Sequence, residues 1–519
     1  MSLLGRARIR RSTELHTDGR RISSTTLRVT GLALASLSVV MVVGTVVEAA
    51  TTRQDTVALA SSAAVTFGIG AVLSRMTERG SIRPIDIFAA VGWSWLAVTV
   101  LGAMPYLLGG TFAVEGIDRS GQWVNAFFES AAGFSCTGST ALTDFSVPGR
   151  GMLMYRQLTQ WYGGMGIVVL AVAVLPTLGV GGLDLMSAEA PGPVAERLTP
   201  HVRDHASRLW AAYVLLTVAV AVALVIVPGP SVYDAIAHAL TTASTGGFSP
   251  YGASIGHFDS VAVEVVLMVG MIIGGANFVL HWRALRREGF VHRRDAEFRL
   301  YITMLLVCSV VVVVILWLDG GLGFTGAVRA GVFNVVSLGT STGYGNATGP
   351  GSAGDFVTWL PGAQFVLLFL FVVGASSQST AGGIKVFRLQ VLLSHSIRSV
   401  RRSQHPRAVI PVKHGGSAVR EDVVSRMASF FTLYALLVLV GILLLTALSG
   451  GFIESIGAVL GALGNMGPAL GTAGPTANFT DAFSEPARMV LAVYMLIGRL
   501  EIIPIFLMFA APARAMRRR

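Results

Sequence analysis

The sequence predicts an all-α integral membrane protein, an N-terminal helical hairpin plus four helix, pore-helix, filter, helix repeats around one central pore. Three observations predict it. The chain of 519 residues is 53% hydrophobic and only 13% charged, with a mean hydropathy of +0.66, far from the balance of a soluble domain. Ten apolar runs reach bilayer-spanning length, at 29–47, 56–73, 87–108, 161–178, 210–227, 261–280, 300–318, 357–374, 427–447 and 489–510. Four short Gly-centred stretches lie between such runs: Cys136-Thr137-Gly138-Ser139, Ser244-Thr245-Gly246-Gly247, Ser341-Thr342-Gly343-Tyr344 and Asn465-Met466-Gly467-Pro468. They recur roughly every hundred residues, as an internal repeat would.

The first segment, 1–80, joins a basic tail to the helical hairpin. That tail is too long, polar and arginine-rich for a cleaved signal peptide, so the first apolar run is expected to be retained. The other eight runs pair into four repeats, 81–186, 187–284, 285–392 and 393–519. Within each, a half-helix too short to cross a bilayer leads into the Gly-centred stretch, at 125–136, 234–244, 329–341 and 454–465. Irregular backbone at membrane depth is tolerated only where protein buries it or water lines it, and a pore meets both conditions. Helix C-termini carry partial negative charge, so four of them aimed at one cavity favour a cation. A glycine beside a small or hydroxyl residue lets carbonyls turn inward and replace the ion's hydration shell. The expected ring is Thr137 and Gly138, Thr245 and Gly246, Thr342 and Gly343, and Met466 and Gly467.

The formal net charge is +11, and the positive residues cluster beside the apolar runs: in the tail, at 75–83, at Arg203 and Arg208, and at 283–299, 385–420 and 514–519. Ten spans place all of these clusters, and both termini, on one side, which the excess of arginine makes cytoplasmic. This pattern sets orientation and excludes nucleic acid as the partner; the surrounding partner is membrane lipid. The two cysteines, Cys136 and Cys308, fall in or beside apolar runs and support neither a disulfide framework nor a zinc site. An intramembrane serine hydrolase would need Ser135 and His238 to act together, but no acidic residue is placed to orient the histidine. No Gly-x-Gly-x-x-Gly fingerprint follows a strand, so nucleotide is not expected to bind this chain.

Several stretches together resemble the Trk/Ktr/HKT superfamily of potassium transporters, in its TrkH and KtrB membrane-subunit branches. They are Leu101-Gly102-Ala103-Met104-Pro105-Tyr106, Phe127-Phe128-Glu129-Ser130 before Thr137-Gly138-Ser139-Thr140, and Gln160-Trp161-Tyr162-Gly163-Gly164-Met165-Gly166 as the start of the next helix. Thr245-Gly246-Gly247-Phe248-Ser249, Thr340-Ser341-Thr342-Gly343-Tyr344-Gly345 and Asn465-Met466-Gly467-Pro468 continue the match in order. The opening hairpin is more similar to TrkH than to the shorter KtrB.

The resemblance implies potassium uptake across the bacterial cytoplasmic membrane, with potassium at the filter carbonyls and no cofactor in the chain. It also implies a homodimer and a cytosolic nucleotide-binding regulatory subunit of TrkA/KtrA type. The run from Gly374 to Lys385 is similar to the family's intramembrane gating loop, through Gly374, Ser376, Ser377, Ser379, Thr380, Gly382, Gly383 and Lys385. Its small and hydroxyl residues weaken a helix independently of family. Gly498-Arg499-Leu500-Glu501, inside the last apolar run, is similar to the motif whose arginine faces the pore below the filter, which assigns Arg499 to gating. Two departures stand out: Cys136 replaces a common Thr, and Asn465-Met466 replaces hydroxyl residues in the fourth strand. Sodium- or proton-coupled symport stays open beside a gated channel, whereas a carrier of inverted repeats predicts two related halves.

Overall fold

The computed structural model describes residues 24–75, 84–166, 202–286, 288–289, 291–502 and 505. The opening hairpin, Ser24–Ala50 and Thr56–Arg75, closes on glycine. A Cβ on Gly31 would lie 2.7 Å from the Gly70 carbonyl oxygen, and one on Gly70 2.8 Å from that of Gly31. Small residues allow such approach where lipid removes the hydrophobic drive between helices.

Behind the hairpin the four repeats follow in order. Their outer helices begin with Pro84–Gly102 and Met104–Leu108, then Val202–Ile226, Ala296–Leu318 and Glu421–Ser449. Four half-helices turn back toward the centre: Arg119–Phe134, Val232–Ala243, Phe324–Gly339 and Phe452–Gly464. Local chemistry starts them. Asp118 accepts the Gly121 N–H at 2.8 Å, and Ser231 with Asp234 forms a capping box. Val39 and Val46 on the hairpin, and Leu306, Val310, Leu439 and Leu443 on the outer helices, are exposed, the outward apolar surface that lipid requires.

Among the described residues six helices are long and apolar enough to cross a membrane, or seven when one bent pair counts as a span. Four of the ten expected runs therefore need correction. Run 261–280 is not one rod: Val261–Gly274 turns by 99° into Phe278–Leu285, with Gly274, Gly275 and an Asn277 cap at the break. Run 357–374 contains a helix of only 12 residues, Pro361–Val372, before the chain leaves helical geometry. The last run, 489–510, is interrupted: its helix Glu485–Arg499 ends at Arg499, so the Gly498-Arg499-Leu500-Glu501 motif straddles the helix end. For run 161–178, Arg150–Gly164 begins earlier and ends near the run's start; residues 167–201 lie outside the described residues. Breaks of this kind belong at membrane depth only beside protein or an aqueous path.

At the end of the third repeat, Val386–Gln404 leads to a short hairpin, Lys413–His414 paired with Ser417–Ala418. Gly415 and Gly416 make its turn with φ of 55° and 86°, which side-chain-bearing residues adopt at a cost.

Candidate functional site

Each half-helix ends in the same turn. Cys136, Thr245, Ser341 and Asn465 take φ of 56°, 49°, 54° and 51°, a conformation costing a non-glycine residue roughly 1–2 kcal/mol. The next N–H then donates to the carbonyl five residues back: Thr137 to Ala132 (2.9 Å), Gly246 to Thr241 (2.8 Å), Thr342 to Ser337 (2.9 Å) and Met466 to Gly461 (2.8 Å). After it stand Gly138, Gly247 and Gly343 with φ of 85°, 81° and 84°, and Gly467 in the fourth strand. The second strand is therefore read one residue later than expected. Gly247, not Gly246, is equivalent to Gly138, and Thr245 matches Cys136 rather than Thr137. Within a Gly-Gly pair the residues are chemically identical, so only the left-handed turn decides the register.

The four glycines close a circle. A Cβ on Gly138 would overlap the Gly246 carbonyl oxygen, and one on Gly247 the Thr342 carbonyl oxygen. A Cβ on Gly343 would lie 2.7 Å from the Gly467 nitrogen, and one on Gly467 2.9 Å from the Gly138 carbonyl carbon. Each bare Cα thus faces the backbone of the next repeat, from first to fourth and back to first. Side chains reinforce the last junction: Ser139 Oγ donates to the Gly467 carbonyl (2.7 Å), and Asn465 Nδ2 to Thr137 Oγ1 (3.2 Å). An outer layer repeats the contacts, with Ile255 N–H donating to the Gly345 carbonyl (3.0 Å) and Phe479 N–H to that of Thr140 (2.8 Å).

The half-helices brace the strands from behind. Seven residues before each left-handed position stand Glu129, His238, Asn334 and Ala458. Glu129 accepts from the Ala141 N–H (2.7 Å) and Thr140 Oγ1 (3.0 Å) and pairs with the buried Arg156. Arg156 in turn donates to the Ser249 carbonyl (2.8 Å) and lies 3.5 Å from the centre of the Phe248 ring. His238 Nε2 meets Ser249 Oγ at 3.0 Å, and Asn334 Nδ2 donates to Asn346 Oδ1 at 2.9 Å. The fourth repeat has only a methyl group at this place. On the other flank, Gln160 Nε2 donates to the Gly246 carbonyl (2.6 Å) and its Oε1 accepts the Phe248 N–H (3.0 Å). Gln160 lies near the C-terminal end of Arg150–Gly164.

Directly against the ends of the half-helices lies the loop between Pro361–Val372 and Val386–Gln404. Thr380 Oγ1 donates to the Ala243 carbonyl (3.1 Å) and meets Thr245 Oγ1 (3.1 Å). The Gly382 N–H donates to Ser341 Oγ (2.7 Å), and a Cβ on Gly382 would lie 2.6 Å from that of Asn465. The loop thus touches the ends of the second, third and fourth half-helices. Its own shape is held at both ends: Gly374 N–H donates to the Ile384 carbonyl (3.0 Å), and Ile384 N–H to that of Val372 (3.0 Å). Gly374 packs against the Gly382 carbonyl too closely for any side chain, and Gly383 has φ of 71°. Ser376 N–H donates to the Gly275 carbonyl (3.0 Å), Ser379 Oγ to that of Ser376 (2.5 Å), and the Lys385 amine to that of Ala381. Glu297 accepts the N–H groups of Ser377 (2.6 Å), within the loop, and of Phe387 (3.1 Å), in the helix that follows it.

Arg499 completes the arrangement. Its guanidinium donates to the carbonyls of Thr380 (2.8 Å), Gly163 (2.7 Å) and Gly164 (2.9 Å), joining the loop to the first repeat. Glu501 pairs with Arg388 instead. The sequence-predicted residues therefore come together, with Gly247 added. Gln160 and Ser139 lie within the recognised motifs, and Glu297 lies in none; the contacts of all three with the strands and the loop emerge only from the fold. Ser135 Oγ meets Thr137 Oγ1 (2.6 Å) while His238 engages the Asp234 carbonyl and Ser249, so these two residues form no nucleophile and base pair.

The half-helices, the circle of strands and the loop beneath them define a multi-pass membrane protein built on four unlike repeats. A model of the TrkH family, described as cation transport protein, matches residues 56–518. The Trk system potassium uptake protein TrkH of Halomonas elongata is 37% identical over 488 residues, covering 93% of this chain and 97% of its own. Its counterpart in Escherichia coli is 34% identical over 452 residues, 86% of this chain and 89% of its own. The crystal structure of the potassium transporter TrkH from Vibrio parahaemolyticus superposes with a TM-score of 0.80 at 32% identity, over 93% of this chain and 97% of that one. The chain belongs to the TrkH family of cation transport proteins, which are transporters and not enzymes.

Proposed function

We propose that the chain carries potassium into the cell through the circle formed by its four Gly-centred strands, without organic cofactor or covalent step. The observation that carries this reading is the closed circuit of glycine contacts, in which four unlike quarters of one polypeptide face one axis. Carbonyls of Thr137, Gly138, Gly246, Gly247, Thr342, Gly343, Met466 and Gly467 take over the hydration shell of potassium, the ion named for the chain's relatives. Thr245, with its hydroxyl on Thr380, links this ring to the loop below. An inside-negative potential drives entry with about 2.3 kcal/mol per charge per 100 mV. No strand carries a full Thr-Val-Gly-Tyr-Gly, so selectivity is looser than in a channel that uses that sequence four times.

The loop from Gly374 to Lys385 closes the path from below, and Arg499, bound to the Thr380 carbonyl, holds it there. The protein resides in the bacterial cytoplasmic membrane with both termini and the arginine clusters in the cytoplasm. Two copies pair, and a cytosolic nucleotide-binding subunit of TrkA or KtrA type docks beneath them; family membership and the arginine-rich connection 388–420 support this part. Rubidium uptake into liposomes containing the purified chain, at clamped potential with and without sodium, tests the proposal. Uptake that grows with inside-negative potential and is competed by potassium more strongly than by sodium is expected. No potential-driven uptake, or equal competition by the two ions, contradicts it.

A further inference from the structure

Two carbonyls of the ring carry side-chain donors. Gly246 receives the Gln160 amide at 2.6 Å, and Gly467 receives the Ser139 hydroxyl at 2.7 Å. The register assigns them to different levels, Gly246 with Thr137, Thr342 and Met466, and Gly467 with Gly138, Gly247 and Gly343. Among the described residues, the carbonyls of Thr137 and Thr342 have no hydrogen-bond donor. The upper and lower rings are therefore electrically uneven, each with one oxygen already engaged.

Gln160 is the more consequential of the two. It is fully buried, its Oε1 accepts the Phe248 N–H at 3.0 Å, and its amide bridges both sides of Gly247. Its own backbone is fixed by the Cys136 thiol, which donates to the Gln160 carbonyl at 3.2 Å. From this geometry we infer that Gln160 is a specificity-determining residue, setting the ion preference of the ring through the Gly246 carbonyl. The inference rests on the reading of this circle as the ion path. A carbonyl oxygen has two lone pairs, and one is occupied by the amide. The positive end of the N–H dipole also lowers the negative potential that the oxygen presents to an ion. Field strength and number of coordinating oxygens govern the choice between small and large alkali cations. A weakened corner disfavours sodium, whose tighter hydration shell demands stronger replacement.

The test compares rubidium and sodium uptake by the full-length chain in liposomes at clamped potential. Gln160→Met keeps the side-chain volume but removes donor and acceptor. Its rubidium-over-sodium ratio is expected to fall about five-fold, the scale of one neutral hydrogen bond. Gln160→Glu supplies the readout that packing alone would not move. When protonated, its carboxyl donates to the Gly246 carbonyl and restores the ratio; when ionised, it cannot, so the preference becomes pH-dependent. Gln157→Met is the control on the same helix, because the Gln157 side chain has no hydrogen-bond partner among the described residues. A wild-type ratio in Gln160→Met overturns the inference. Should that variant fail to assemble, a pH-independent, wild-type ratio in Gln160→Glu overturns it equally. Absence of uptake by the wild-type chain would instead remove the underlying reading.

Discussion

Alanine at Gly247 and alanine at Gly246 have different consequences. At Gly247 a Cβ meets the backbone of the third strand and the residue must hold φ of 81°, so neither neighbour nor backbone can yield. At Gly246 the obstacle is the Gln160 side chain, which can move. Gly247→Ala is expected to abolish selective uptake, whereas Gly246→Ala should retain transport with the altered ion preference of a Gln160 variant. Matched uptake assays on the two proteins decide it. The same residues mark where the sequence was opaque: periodicity located the strand, but two adjacent glycines hide a one-residue register. Gln160 was hidden differently, since a glutamine near two glycines announces no partner until the fold brings Gly246 and Phe248 to it.

At the scale of elements, the bracing of the half-helices and the seating of the loop each have a separable signature. Arg156 and Glu129, both nearly inaccessible, join the first half-helix to the following helix and to the second strand. Removing one partner strands a buried charge, so Arg156→Met is expected to cost about 3–5 kcal/mol, measurable as a lower thermal midpoint in detergent. Adding Glu129→Gln should recover part of that loss. Deleting residues 376–380 removes the contacts of Thr380 with Ala243 and Thr245, and is expected to raise basal flux. Arg499→Gln, which loses the cationic bridge from Thr380 to Gly163 and Gly164, should raise flux less, because the Gly382 contacts remain. Reduced flux in a well-folded deletion variant would make the loop a structural brace instead. Helix existence was legible here from apolar run length, but breaks were not. Gly274-Gly275 bends a run that hydropathy treats as continuous, and Pro361–Val372 stops where carbonyls find partners in the loop rather than in the next turn.

At the scale of the whole molecule, the four quarters share a backbone path while differing in nearly every side chain. Their common features are those that hydrogen bonding and close approach impose: a left-handed residue, an N–H returned to the half-helix, and a glycine facing the next strand. Their differences, such as Ala458 where the other repeats brace with Glu129, His238 and Asn334, lie in how each half-helix is joined to its strand. The fourfold plan could be read from sequence because glycine at a crowded axis is irreplaceable. The outer braces could not, because many polar pairs serve a brace equally well.

The most direct measurement substitutes alanine singly at Gly138, Gly247, Gly343 and Gly467 and records the rubidium-over-sodium uptake ratio of each protein in liposomes at clamped potential. A single conduit lined by all four quarters predicts that every one of the substitutions lowers the ratio. A wild-type ratio in any folded variant would contradict it, by showing that its quarter stands apart from the path the ion takes.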